Sequence, residues 1–354
     1  MNDSKRRAVQ IIGDNKENLA KNVVEKQYKL YPEYWGKFGK DSKQAGVRDA
    51  GFHLNFLIEA INMDDKEIFD SYVKWAKLLF REHNISEETL ATSLKIVKEE
   101  LEDLLPKDLF DAISSYIHSG LQKVEEQTED MASYININGP LGKLASAFNK
   151  ALLKGNKSKA NQMIMDEVHK GTPIKDIYLN VFQPSQLETG RLWLMNQISV
   201  AKEHYVSAAT QLIMSQLYPY IFSTEKKGVT FVGACVGGEL HEIGIRMVGD
   251  FFEMDGWDTY YLGANTPVSP LIYAIEEHQA DLVGLSISMP YHSSLVKDTI
   301  SQIRDYFSYS PPKILVGGNG INHKKDIWKY FKADGYAPDA DKAVEKGNQL
   351  IQQK

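Results

Sequence analysis

Cysteine occurs once in 354 residues, at Cys235, so no internal disulfide framework is available and a reducing, cytoplasmic setting is expected. Long apolar runs are missing as well. No stretch approaches the ~20 residues of a membrane-spanning helix, and the apolar run in MNDSKRRAVQIIGDNKEN is too short for a signal segment. A net charge of −6 with no basic cluster argues against a nucleic-acid surface. Glycine and proline are scarce over roughly the first 125 residues, so little there interrupts a helix. What is present, 43% hydrophobic and 25% charged residues, is a globular composition long enough for two or three domains.

The first block reads as helix throughout. Ile68, Phe69, Tyr72, Ala76, Leu79 and Phe80 form an amphipathic stripe within DKEIFDSYVKWAKLLFR. Ser86, with Glu88 in the following turn, predicts the start of the next helix. A polar stretch ending in a turn signal, EEQTEDMASYININGP, leads to a second helical block from about Leu141 to Phe222. Gly155 and Gly171 stand where helices would end and Pro173 where one would begin, which predicts a four-helix bundle. After the polar linker Ser223–Gly228, strand-like and helix-like segments alternate: GVTFVGACV, TYYLGA, DLVGLSISM and KILVGG. This predicts a doubly wound, Rossmann-like parallel sheet whose ligand edge lies in the loops after Val236, Ala264, Met289 and Val316. The expected domains are 1–127 (all-α), 128–225 (four-helix bundle) and 226–354 (α/β).

The first of those loops reads Gly237-Gly238-Glu239-Leu240-His241-Glu242-Ile243-Gly244. Glu239 stands where it can hold one ring nitrogen of His241 and leave the other for a metal. Gly244 leaves room for a bulky group at the start of the helix. A solvated loop histidine beside an acid is the plain alternative. Three further loop ends favour a site: Ser286-Ile287-Ser288, then Gly317-Gly318 with Gly320, then Tyr336-Ala337-Pro338. Together these four elements resemble the cobalamin-binding domain shared by methionine synthase, B12-dependent mutases and CarH-type photoreceptors, over about residues 228–345. The resemblance implies His241 as lower cobalt ligand and Glu239 as its partner. It implies a nucleotide-tail pocket from Gly244, Ser286, Gly317 and Gly318, with Ser288 and Tyr336 as further cofactor-binding candidates. Glu239, where aspartate is usual in methyltransferases and mutases, favours the photoreceptor branch.

The bundle carries a second pattern: Trp193, nine residues, then Glu203-His204. A tryptophan packed in a bundle is the plain alternative, but the pattern resembles CarH-type photoreceptors. That resemblance implies adenosylcobalamin, with Trp193, Val200, Glu203 and His204 around its upper adenosyl group. Leu194 departs from the family, which has a histidine there that captures cobalt after illumination. The longer N-terminal block departs too, since a DNA-binding helix-turn-helix would stand in its place. Its all-helical size resembles the globin-like, biliverdin-binding domain of photocobilins. Gly46, Ala50, His53 and Leu57 share one helical face with Asp49 a turn before His53; Arg48, Tyr28 and Trp75 complete the candidate bilin set. A closely packed helix with His53 satisfied by Asp49 remains the alternative, as does haem on His53. The expected function is a non-enzymatic light sensor with light-dependent self-association or a separate effector. The runner-up is a corrinoid methyl carrier of a B12-dependent methyltransferase system.

Overall fold

The structure, a computed structural model, describes residues 2–32, 42–222 and 224–352. Ser223, the first residue of the expected linker, lies outside them. The chain divides into two compact units: Met1–Asp130 with Leu194–Asn196, and Met131–Trp193 with Gln197–Lys354. The expected bundle and α/β domain thus fall within one unit.

In the first unit the described helices are α1 (Asp3–Leu30), α2 (Ser42–Asn62), α3 (Lys66–Glu82), α4 (Glu87–Leu104) and α5 (Lys107–Glu125). Side-chain caps set three of the starts, because free N–H groups of a first turn need acceptors. Asn2 accepts from the Lys5 amide, Asp65 from that of Glu67 and Ser86 from that of Glu88. On α3 the buried stripe is Ile68, Phe69, Tyr72, Val73, Ala76 and Leu78. Leu79 and Phe80, expected on that stripe, are only half-buried. Gly46, Ala50, His53 and Leu57 do share the buried face of α2.

The second unit opens with α6 (Gly142–Leu153) and α7 (Lys157–His169), whose ends are marked by Gly155 (φ +75°) and Gly171 (φ +90°). Next come α8 (Ile174–Ile177), a π-helical turn (Tyr178–Phe182) and α9 (Gln183–Leu194). The π turn ends two residues before Pro184, which has no amide to continue the α-helical ladder. The helical block expected up to Phe222 ends in two helices, α10 (Val200–Ser215) and α11 (Tyr218–Ile221).

The sheet has strands β1 (Thr230–Val236), β2 (Asp258–Thr266), β3 (Leu282–Ser286), β4 (Lys313–Gly317) and β5 (Gly335–Ala337). All neighbours pair in parallel, in the order β2-β1-β3-β4-β5. The order reverses between β1 and β3, so the loops that follow these strands part there and open a crevice. Helices α12 (Ile243–Met254), α13 (Val268–Glu277), α14 (Ser293–Tyr306), α15 (Ile327–Phe331) and α16 (Ala340–Ile351) connect and flank the strands.

Bundle and sheet share one hydrophobic core, in which Phe148, Tyr178 and Phe182 join Phe251 and Phe252. Polar contacts fix how the two layers meet. Arg246 donates to Gln211 Oε1 (3.1 Å), Ser215 Oγ (2.6 Å) and Tyr218 Oη (3.2 Å). Gln211 in turn donates to Glu242 (3.0 Å), and the Tyr178 hydroxyl donates to Asp250 (2.7 Å).

In the N-terminal unit, burial lowers the His53 pKa to about 4. The neutral ring folds more readily than the charged one, so this group's stabilising effect is present above the ordinary value of 6.5. It is lost as pH falls towards about 4, up to roughly 3 kcal/mol in all. Urea unfolding of the protein and of a His53→Asn variant across that window should show the difference between them shrinking as pH falls. A constant difference refutes it.

Candidate functional site

The carboxyl edge of the sheet is built from small side chains. Register aligns Cys235 on β1 with Ser286 on β3, Ser286 with Gly317 on β4, and Gly317 with Ala337 on β5. Their shortness keeps that edge low, and the loops beyond it approach closely. A Cβ on Gly318 would lie 2.1 Å from the Ile287 carbonyl, and Gly318 adopts φ +110°. A Cβ on Gly317 would lie 2.7 Å from the Ala337 carbonyl. Both glycines therefore serve the packing of loop backbones. Around Gly244, at the start of α12, a Cβ would meet nothing within 4 Å, so that approach to the helix is open.

The centre of the edge is Glu239, fully buried in the loop after β1. Oε1 accepts from the His241 amide (3.0 Å) and from His241 Nδ1 (2.5 Å). Oε2 accepts from the Ser288 amide (2.8 Å), the Met289 amide (2.9 Å) and His292 Nδ1 (3.3 Å). Burial alone would raise this carboxyl's pKa, but hydrogen bonds from His241, His292 and backbone amides outweigh it and hold the pKa well below the usual range. An ionised carboxylate only accepts, so the hydrogen on His241 sits on Nδ1. Nε2 then carries the lone pair on a side chain that is 62% exposed. The bond to Glu239 raises the His241 pKa; burial opposes this, and the charges of Glu239 and Glu203 add to the rise. Cys235 contributes no thiolate, because burial and then the nearby Glu239 and Glu242 push its thiol up to about 12.

Among the described residues no three His, Cys, Asp or Glu side chains gather as a metal set. The loop offers one nitrogen donor with a carboxylate behind it and open space beside it. Such a donor set suits a metal already held by a macrocycle, and it fits the cobalt of a corrin at His241 Nε2. Bound there, cobalamin would supply a cobalt–carbon bond.

Of the remaining expected residues, Ser286 is buried in the strand edge, while Ser288 acts through its amide. Tyr336 ties β5 to the loop after β4 by donating to Asn322 (2.9 Å). On α10, Val200 is 53% exposed and His204 is exposed. Glu203 accepts from Ser207 (2.9 Å), pairs with His204 Nδ1 (2.5 Å) and acts electrostatically on His241. Trp193 is half-buried at the end of α9, and Leu194 is buried.

The structure also supplies residues the sequence did not single out. His292 shares Glu239, and Asn265 on β2 accepts from the Gly238 amide (2.7 Å) while donating its own amide to the Glu239 carbonyl (2.8 Å). In the N-terminal unit His53 is bonded to the Tyr72 hydroxyl (2.7 Å), where the closely packed alternative had Asp49 as its partner. Asp49 lies on the surface one turn away, whereas Tyr72 reaches the ring from α3. Tyr72 also stacks on Phe56 (4.1 Å) and Trp75 (6.1 Å). Tyr28 instead bonds Ser42, and Arg48 is exposed.

Residues 229–345 match a family model described as the B12 binding domain, and residues 144–218 match a second model of the same description. Matches and geometry agree: the chain is a cobalamin-binding protein with a helical B12-binding cap and a Rossmann-like B12-binding domain. Dimethylamine corrinoid protein 2 of Methanosarcina acetivorans is 27% identical over 165 residues, 46% of this chain and 73% of that protein. Dimethylamine corrinoid protein 3 of Methanosarcina mazei is 26% identical over 167 residues, 47% of this chain and 96% of that protein. The solved monomethylamine corrinoid protein of Methanosarcina barkeri superposes with a TM-score of 0.52 at 18% identity, covering 59% of this chain and 99% of that one. At that identity the superposition speaks for the fold. Residues 1–143 lie outside both family matches.

Replacing Glu239 by alanine leaves buried donors without an acceptor and the His241 tautomer unfixed. Cobalamin affinity of Glu239→Ala should fall by roughly 10- to 100-fold, with the apoprotein destabilised by about 2–3 kcal/mol or more. Titration of the apoprotein with cobalamin and urea unfolding measure the two effects.

Proposed function

We propose that this chain is a light sensor that holds adenosylcobalamin, with a change in self-association or in contact with a separate effector as its output. The observation that carries this reading is the place of Glu203. Glu203 lies in the first turn of α10, and its charge contributes to the raised His241 pKa. A carboxylate accepts hydrogen bonds and donates none. A methyl group above cobalt offers it nothing, whereas the ribose hydroxyls of an adenosyl group are donors. Val200 and Trp193 supply apolar cover against water on the same side, as the resemblance to CarH-type photoreceptors implies. Leu194 offers no imidazole, so capture of the metal there after illumination is not expected.

Biliverdin in the N-terminal unit is the second chromophore of this proposal. Its support is the convergence of His53 and Trp75 on Tyr72. Binding requires the buried His53 ring to be uncovered, and haem ligation by His53 makes the same demand. Spectra taken after adding biliverdin or haem to the protein distinguish the two.

The named relatives favour a second reading: a corrinoid protein that carries methyl groups for a separate methyltransferase. The lower-ligand loop and helical cap serve that role equally well. Dark-loaded adenosylcobalamin protein, followed by spectra and size-exclusion profiles before and after green light, decides between them. The sensor reading expects both to change. It also expects Trp193→Ala and Glu203→Gln to weaken adenosylcobalamin binding roughly tenfold while leaving methylcobalamin binding near normal. Unchanged spectra, with equal effects on the two cofactors, would favour the carrier.

A further inference from the structure

Glu239 divides its oxygens between two histidines, and only one of them faces the cofactor side. His292 is buried, at the end of a short 3-10 turn (Pro290–His292) after β3. The turn is itself pinned, since the Ser293 hydroxyl donates to the Pro290 carbonyl (2.7 Å) and the His292 amide to that of Met289 (3.0 Å). The Tyr291 ring meets the imidazole edge to face at 4.3 Å. Space for the ring is made by Gly238, at φ +81°, where a Cβ would lie 3.2 Å from His292 Nε2. Because ionised Glu239 only accepts, His292 carries its hydrogen on Nδ1 and donates it to Oε2.

We propose that His292 is a positioning residue for the cobalt ligand. By holding Oε2 it fixes the plane of the Glu239 carboxylate, so that Oε1 meets His241 Nδ1 and the lone pair of Nε2 points out of the loop. The inference rests on the reading that His241 ligates cobalt. The Ser288 and Met289 amides also hold Oε2, from the loop backbone just before the turn. The imidazole ties the carboxylate to the start of a packed helix.

Three variants and one measurement on the unaltered protein test it. Asparagine places an N–H near the position of Nδ1, glutamine moves it away, and leucine removes it. The variants, carrying histidine labelled with nitrogen-15, are loaded with cobalamin and reduced to the Co(II) state. They are examined for affinity and, in the electron paramagnetic resonance spectrum, for the doublet splitting of a labelled histidine nitrogen, as distinct from the triplet of the cofactor's own benzimidazole nitrogen. His292→Asn should keep the splitting. His292→Leu and His292→Gln should lose much of it and bind cobalamin roughly tenfold more weakly. A leucine variant with unaltered splitting and affinity overturns the proposal, as does an asparagine variant no better than leucine. Should the variants fail to fold, nitrogen-15 shifts of His292 in the unaltered holoprotein decide: hydrogen on Nδ1 supports the proposal and hydrogen on Nε2 overturns it. Absence of the labelled-nitrogen doublet in the unaltered protein removes the cobalt reading itself. Splitting that survives His292→Leu removes only this inference.

Discussion

A buried carboxylate is costly unless its lone pairs are met, and the ligand edge is organised around meeting those of Glu239. Its five hydrogen bonds come from its own loop and from the loop after β3. Both loops can reach it because β1 and β3 are neighbours paired in parallel up to Cys235 and Ser286, so the loops that follow leave the sheet side by side. The aligned small residues Cys235, Ser286 and Gly317 keep the edge low enough for the loops to close over the carboxylate. Asn265 holds the other side of the loop from β2. The same charge that needs this enclosure sets the tautomer of His241. Fold and ligand chemistry are therefore one constraint.

Helix α10 has two different halves. Towards its C-terminus Thr210, Ile213 and Met214 are buried, and Gln211 and Ser215 are bonded to α12 and its approach through Arg246 and Glu242. Towards its N-terminus Val200 and His204 are exposed and Glu203 accepts from Ser207. One half anchors the cap to the sheet, while the other leaves an apolar and acidic surface on the cofactor side.

The sheet, its edge and the pairing of Glu239 with His241 were legible because they depend on local signals. Strand runs, glycine turns and a two-residue spacing within a single loop all lie close together in sequence. His292 was not legible, since it lies 53 residues from Glu239 and meets it only through the parallel pairing of β1 with β3. Tyr72 escaped for the same reason: it was read as one residue of an apolar stripe, while its hydroxyl bonds to another helix. The break after Ser215 was also missed. No proline or glycine stands at that break, and the first proline, Pro219, lies inside the short helix that follows.

Likeness to dimethylamine corrinoid proteins and the reading of Glu203 as an adenosyl contact bear on different residues. At 27% identity most aligned positions differ. What the two family matches cover is the helical block of residues 144–218 and the α/β domain of residues 229–345. A carboxylate on the upper side of the cap is solvated and inexpensive without a ligand, and a different group above the metal calls for a different side chain. Trp193, Val200 and Glu203 are therefore the positions at which the proposed sensor and the carrier reading differ in what they require.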